Sequence, residues 1–266
     1  MRWHPHLDND QVTRTALLGD FDRALAGCEL YLDFQPKFDG PGMRRLSGAE
    51  ALVRWQHPER GRIAPNDFIP AVEASGFCRP FTIWVLRTAL TTWRRVTAVA
   101  PGATVAVNVP VSLISDPAFV AAFVSEILAT GTDPSTVQVE ITERGINGNI
   151  DQLNVGLERL ADLGVSAALD DFGTGQSSLA FLRRLHIREV KIDRTFVENL
   201  DSDAPNRAVV AACVAIAEAC AHTVCAEGVE TAAEMATAIE LGCHSVQGFY
   251  TGRPMTVDQL IAIATR

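Results

Sequence analysis

Side chains able to hold a cation recur at the ends of apolar runs in this 266-residue chain. They are Glu50, Asn108, Glu140, the adjacent Asp170 and Asp171, Glu227 and Gln247, with Gln35 in the first such run. One lysine, Lys191 in "EVKID", lies beside Asp193. Gathered in one place, so many carboxylates repel one another strongly when nothing else is bound. Either some protonate or cations bind. Hard oxygen donors without Cys or His favour Mg2+, Mn2+ or Ca2+ over zinc or copper. Neighbouring Asp170 and Asp171 would let one carboxylate bridge two ions about 4 Å apart, the arrangement of two-metal phosphoryl chemistry. Lys191 would meet several of these acids and could orient a water among them. Gly173 and Gly175 suggest a loop able to close over the site. Taken singly, each residue reads as a solvated strand end, a helix cap or an edge lysine. The recurrence over most strands is what favours a cation site.

Such residues converge only if the elements carrying them do. Strand-like runs occupy 29–39, 45–55, 104–109, 136–141, 165–170, 189–193, 223–228 and 244–248. They are apolar or β-branched and bounded by turn residues. Helical segments lie between them. Asp116-Pro117 reads as a cap with proline in the first turn, and Gly131 ends that helix. Residues 149–164 place Ile150, Leu153, Leu157 and Leu160 on one face before a terminal glycine. The segment 205–222 is apolar nearly all round, which predicts a helix covered on several sides. The turn "DGPGM" predicts antiparallel pairing of the first two strands, and helical crossovers force parallel pairing after them. About eight strands alternating with helices over some 250 residues have the rhythm of a (β/α)8 barrel, with a doubly wound open sheet as the competitor. The barrel is favoured because it brings the polar strand ends to one mouth, whereas an open sheet spreads them along an edge.

Composition sets further limits. Hydrophobic residues make up 47% and charged residues 21%, the balance of a soluble globular protein. A net charge of −9 and a pI near 5.1 argue against binding a nucleic-acid polymer or an anionic membrane. The longest apolar run, Ala208–Ala217, is far short of a membrane span, and the N-terminus lacks a signal-peptide core. Six cysteines without C-x-x-C spacing read as reduced, packed thiols in a cytoplasmic protein. "DFG" at 171–173 has no kinase companions, and "GTGQSS" lacks the lysine of a phosphate loop. His4 and His6 form an H-x-H pair that reads as incidental, His57, His186, His222 and His244 show no ligand-like spacing, and Trp55, Trp84 and Trp93 lie in segments patterned for packing.

Seven segments together resemble the EAL-domain family of cyclic di-GMP phosphodiesterases: "AEALVRWQHPERGRIAPNDFI" (49–69), "VAVNV" (105–109), "VEITE" (139–143), "LDDFGTGQSSL" (169–179), "VKIDRTFV" (190–197), "CAEGVET" (225–231) and "VQGFY" (246–250). The resemblance implies a TIM-like (β/α)8 barrel with an antiparallel first strand, as one domain over 20–266 after a lead-in over 1–19. It implies metal-dependent hydrolysis of cyclic di-GMP to linear pGpG, with two Mg2+ or Mn2+ ions and Ca2+ as an inhibitor. By the same resemblance, Glu50, Asn108, Glu140 and Asp170 bind one metal, and Asp170 bridges to a second near Asp171 and Glu227. Lys191 positions the attacking water with Asp193 in support, and Glu143 steadies the loop after the aspartates. Gln35 and Arg54 bind substrate, and Glu230 and Gln247 belong to the same mouth. A guanidinium suits a phosphate because its fork matches the oxygens.

The usual tyrosine of "DFGTGYSSL" is Gln176 here, Val109-Pro110 replaces "LS", and Leu185-His186 replaces "LP". None of these changes removes a metal ligand; Gln176 bears on rate or regulation. The resemblance further implies a homodimer, and a sensor or diguanylate cyclase domain upstream if the chain is a fragment. Two other functions compete. A cyclic di-GMP receptor with little turnover is disfavoured by the complete ligand set. A barrel glycosidase predicts two isolated acids and sugar-stacking aromatics, whereas aromatics make up only 7% here.

Overall fold

The computed structural model describes residues 17–40, 42–146, 150–174 and 182–265. Nine strands follow in chain order: β1 Leu30–Asp39, β2 Arg45–His57, β3 Gly61–Ile63, β4 Thr104–Asn108, β5 Val137–Thr142, β6 Ser166–Phe172, β7 Glu189–Ile192, β8 Thr223–Glu227 and β9 Ser245–Gln247. Eight of them close a barrel in the order β1-β2-β4-β5-β6-β7-β8-β9, with β9 returning to β1. Strand β1 runs antiparallel to both neighbours, and every other barrel pair is parallel. The barrel and its antiparallel first strand are as expected. The short β3 was not anticipated; three residues hairpinned onto the end of β2 are too few for a periodic signal.

The helices pack their apolar faces on the outside of the barrel. Trp55, fully buried on β2, meets Phe21 of the helix at 17–26 and Phe68 of helix Pro65–Glu73, with ring centroids 5.5 and 5.2 Å apart. Helix Pro117–Thr130 begins with the Asp116 carboxylate accepting from the Ala118 N–H and ends at Gly131 in the left-handed region. Helix Ile150–Leu163 buries Leu153, Leu157 and Leu160, as its periodicity predicts.

Helix Ala204–Ala219 differs from expectation. It buries Val210, Cys213, Val214 and Ala217 along one face, while Ala208, Ala211, Ala212 and Ala215 face solvent. Alanine is the strongest helix former and counts as apolar, so an alanine-rich helix looks more buried than it is. Among the described residues no helix is long and apolar enough to cross a membrane. All six cysteines are free.

Candidate active site

Side chains on a strand alternate between faces, so residues two apart share one face. In this barrel that rule builds two inward layers. One contains Gln35, Glu140, Lys191, Glu227 and Gln247; the other contains Lys37, Gln138, Glu189, Cys225 and Ser245, two residues away on the same five strands. Pairing fixes the neighbours within the first layer. Gln35 lies opposite Glu50, Asn108 beside Glu140, and Glu227 beside Gln247.

Lys191 is the hub of that layer. Its side chain is fully buried, and its Nζ lies 2.7 Å from Glu227 Oε1, 2.9 Å from Glu140 Oε1, 3.3 Å from Asp170 Oδ1 and 3.7 Å from Glu50 Oε2. These contacts are ionic without aligned hydrogen-bond geometry, and Glu140 Oε2 is buried with no hydrogen-bond partner among the described residues. Glu50 is held on both oxygens. Asn108 Nδ2 donates to Oε1 and Gln247 Nε2 to Oε2, each at 2.7 Å. Asn108 thereby keeps its carbonyl oxygen as a donor toward a cation.

One ammonium cannot neutralise four carboxylates. Burial, with Glu50 and Asp170 close by, pushes the Glu140 carboxyl up to about 8 despite Lys191. Burial likewise raises Glu227 well above the ordinary carboxylate range, with Asp170 and Glu50 adding to the effect. Burial opposes the charge on Lys191, but Asp170, Glu140, Glu227 and Glu50 outweigh it, and the ammonium stays protonated far into the alkaline range.

Asp170 and Asp171 should point to opposite faces in a regular strand. The β6–β7 register shifts between Leu169 and Phe172, and Asp171 adopts φ 56°. Such a bulge breaks the alternation. As a result, carboxylate oxygens of Asp170, Asp171 and Glu227 lie within 4.8 Å of one another. Burial raises the Asp171 carboxyl to about 6, with Asp170 and Asp193 reinforcing the shift. Glu143 Oε2 accepts the Gly173 N–H at 3.0 Å and so ties down the turn after the bulge. Gly173 has φ 101°, and a Cβ there would stand 2.6 Å from the Phe196 ring, so only glycine fits. Gly175 and Gln176 lie outside the described residues.

These residues fit divalent cations. The donors are all hard oxygens, one buried carboxylate oxygen has no hydrogen-bond partner among the described residues, and the local negative charge exceeds what Lys191 supplies.

The remaining predicted residues are placed as follows. Gln35, Asp193, Glu227 and Gln247 line a cavity of about 220 Å³ that also includes Glu50 and Glu230. Asp193 caps the turn at Arg194–Val197 through the Thr195 N–H. Glu230 is at the rim, paired with Arg194 at 2.9 Å. Arg54 lies farther along β2 and pairs with Asp33, whose Oδ2 accepts from Arg54 Nε at 2.9 Å. Asp33 was not singled out in the sequence; its partner is 21 residues away and only strand register joins them.

The second inward layer was also missed. Lys37 Nζ donates to Glu189 Oε2 at 2.7 Å and to Gln138 Oε1 at 3.1 Å. Gln138 Nε2 and Ser245 Oγ also donate to Glu189, at 3.0 and 3.2 Å. A charged residue inside an apolar strand was the available signal, but a lysine flanked by Pro36 and Phe38 reads equally as an edge residue.

The chain matches the family model described as EAL domain over residues 19–254. It is 38% identical over 250 residues to the bifunctional diguanylate cyclase/cyclic di-GMP phosphodiesterase MucR of Pseudomonas aeruginosa, covering 92% of this chain and 36% of that protein. It is 37% identical over 242 residues to the cyclic di-GMP phosphodiesterase NbdA of the same organism, covering 90% of this chain and 30% of that protein. The chain thus spans about a third of the length of these relatives. Among solved structures it is similar to a MucR phosphodiesterase in complex with c-di-GMP, with a TM-score of 0.85 and 38% identity over 92% of this chain and 99% of that one.

Proposed function

This chain belongs to the EAL domain family, and from that premise we propose that it hydrolyses cyclic di-GMP to linear pGpG with two divalent cations. The observation that carries the reading is the charge excess around Lys191: four carboxylates within 4 Å of one ammonium, three carboxylates gathered by the β6 bulge, and a buried acid oxygen with no hydrogen-bond partner among the described residues.

In this reading Glu50, Glu140 and Asp170, with the carbonyl oxygen of Asn108, hold one cation. Asp170, Asp171 and Glu227 hold the second. When bound, the cations supply positive charge for the phosphate and the leaving oxygen and acidify the attacking water. The residues of the chain do the rest. Asn108 and Gln247 lock Glu50 by both oxygens, so its orientation survives the loss of neighbouring contacts. Lys191 holds the acid ring together and offers N–H donors to the water. Asp193 reinforces the negative field at Asp171, and Glu143 fixes the turn at Gly173. Gln35 and Arg54 bind the ligand above the cluster. An acidic protein accepts an anionic ligand because the cations invert the local field.

The test is incubation of the purified chain with cyclic di-GMP and Mg2+ or Mn2+, followed by chromatography. We expect pGpG to form and a chelator to abolish it. Tight binding without pGpG would overturn the enzyme in favour of a receptor.

A further inference from the structure

The ribbon formed by β1 and β2 continues beyond the barrel rim. Directly opposed residues share a face, so the face that carries Gln35 and Glu50 carries Asp33 with Leu52 next, then Tyr31 with Arg54. Arg54 is only 7% exposed. Its Nε donates to Asp33 Oδ2 and its Nη1 to the Val53 carbonyl, both at 2.9 Å. Its Nη2 makes no hydrogen bond among the described residues, yet it is not among the sealed-off polar atoms, so it is open to solvent. A second guanidinium approaches the same carboxylate: Arg62 Nη2, on the hairpin strand β3, lies 3.8 Å from Asp33 Oδ2, with the Arg62 side chain 61% exposed. One acid therefore stands between two cations, with a net positive charge facing outward.

The guanidinium is anchored by the protein on Nε and Nη1 while Nη2 keeps donors that no described residue takes up. The unused donors point to an anion. We propose that Asp33 is a positioning residue that fixes the Arg54 guanidinium, and that Arg62 is a second anion-binding group. Together the two guanidiniums receive a phosphate of the ligand above the cation cluster. The inference rests on the reading of Gln35 and Arg54 as ligand-binding positions. It adds to them a carboxylate that orients rather than competes. Holding Nε and Nη1 leaves Nη2 to donate to a phosphate oxygen.

Steady-state hydrolysis of cyclic di-GMP with Mn2+ tests this in Asp33→Ala, Asp33→Asn, Arg62→Ala and Arg62→Lys, with folding checked by circular dichroism. Loss of the anchor in Asp33→Ala is expected to raise KM about tenfold while kcat stays within about twofold. Arg62→Ala, losing a solvent-exposed charge, should raise KM about threefold and flatten its dependence on salt, with partial recovery in Arg62→Lys. If Asp33→Ala does not fold, Asp33→Asn, which keeps an acceptor oxygen, supplies the comparison, and its KM should rise less than the expected tenfold. An unchanged or lower KM in the Asp33 variants would overturn the positioning role, since the carboxylate would then be a competitor. A fall in kcat at constant KM would overturn it as well, by placing the effect in the chemistry. An unchanged KM and salt slope in Arg62→Ala would remove Arg62 from the subsite. A wild-type chain that neither binds nor cleaves cyclic di-GMP rejects the parent reading instead; an active wild type with indifferent variants rejects only this inference.

Discussion

Lys37 and Lys191 both lie inside the barrel, on inward layers two residues apart, and both are almost wholly buried. Their surroundings differ in charge balance. Lys37 faces one carboxylate, Glu189, whose oxygens also accept from Gln138 and Ser245. Every partner there is satisfied and the formal charges cancel. Lys191 faces four carboxylates, its contacts lack hydrogen-bond geometry, and Glu140 Oε2 has no hydrogen-bond partner among the described residues. A satisfied buried network specifies structure, whereas a half-satisfied one is unstable unless something else completes it. One barrel thus uses the same residue type for closure at one end and for a cation-hungry site at the other. The layers also fit the general division of such barrels into a structural N-terminal face and a reactive C-terminal mouth.

Substitutions that exchange the two behaviours should break this contrast. The largest effect is expected at Glu50. Glu50→Ala removes a proposed cation ligand and should lower turnover by at least about a thousandfold, while its melting temperature stays near wild type because a repulsive charge is also removed. Activity retained in Glu50→Ala would dismiss the site assignment. Next in size, Lys37→Met leaves Glu189 buried without its ion and should cost about 3–5 kcal/mol of stability. Thermal unfolding should read this as a loss of roughly 10 °C in a chain of this size. Turnover at 25 °C should persist. A Lys37→Met chain that melts like wild type would show the lower network to be dispensable.

The two layers should also respond oppositely to pH, and this is the smaller effect. Glu140 and Asp171 are raised to about 8 and about 6, above their unfolded values. Their protonated forms favour the fold, so that stability is full below the ordinary carboxylate range and is lost as pH rises through about 6 to about 8. Glu189 is held below the ordinary range: burial works against this, but Lys37, Gln138 and Lys191 outweigh it. Its contribution is therefore present above that range and lost on acidification. Melting of chelator-treated protein should accordingly fall between about pH 6 and pH 8, and Mg2+ should restore more at the upper end, where protons no longer compete for the ligands. Glu140→Gln should flatten the decline. A metal-free melting temperature independent of pH over this window would contradict the charge excess.

How far the sequence could be read follows the same division. Apolar, β-branched runs bounded by turn residues located the eight barrel strands and put Asn108, Glu140, Asp170 and Glu227 at or near strand ends, because these are local signals; Glu50 instead lies in the middle of β2, which runs on past the barrel to His57. The helix caps at Asp116 and Gly131 were legible for the same reason. Three features were not. The bulge that turns Asp170 and Asp171 toward one place depends on backbone dihedrals, which adjacent aspartates do not announce. The Lys37–Glu189 pair joins residues 152 apart, across the barrel rather than along a strand. The Asp33–Arg54 pair follows from antiparallel register, which the turn "DGPGM" implied in direction but not in residue-by-residue alignment. The alanine-rich helix Ala204–Ala219 was misread because apolar composition stood in for burial.

The central claim is that the acids around Lys191 are arranged for divalent cations and those around Lys37 are not. Calorimetric titration of Mn2+ into chelator-stripped wild type, Asp170→Asn and Glu189→Gln tests it most directly. The account predicts saturable binding to wild type, loss or severe weakening in Asp170→Asn, and wild-type affinity in folded Glu189→Gln. Equal affinity in Asp170→Asn and wild type, or no binding to wild type, would contradict it.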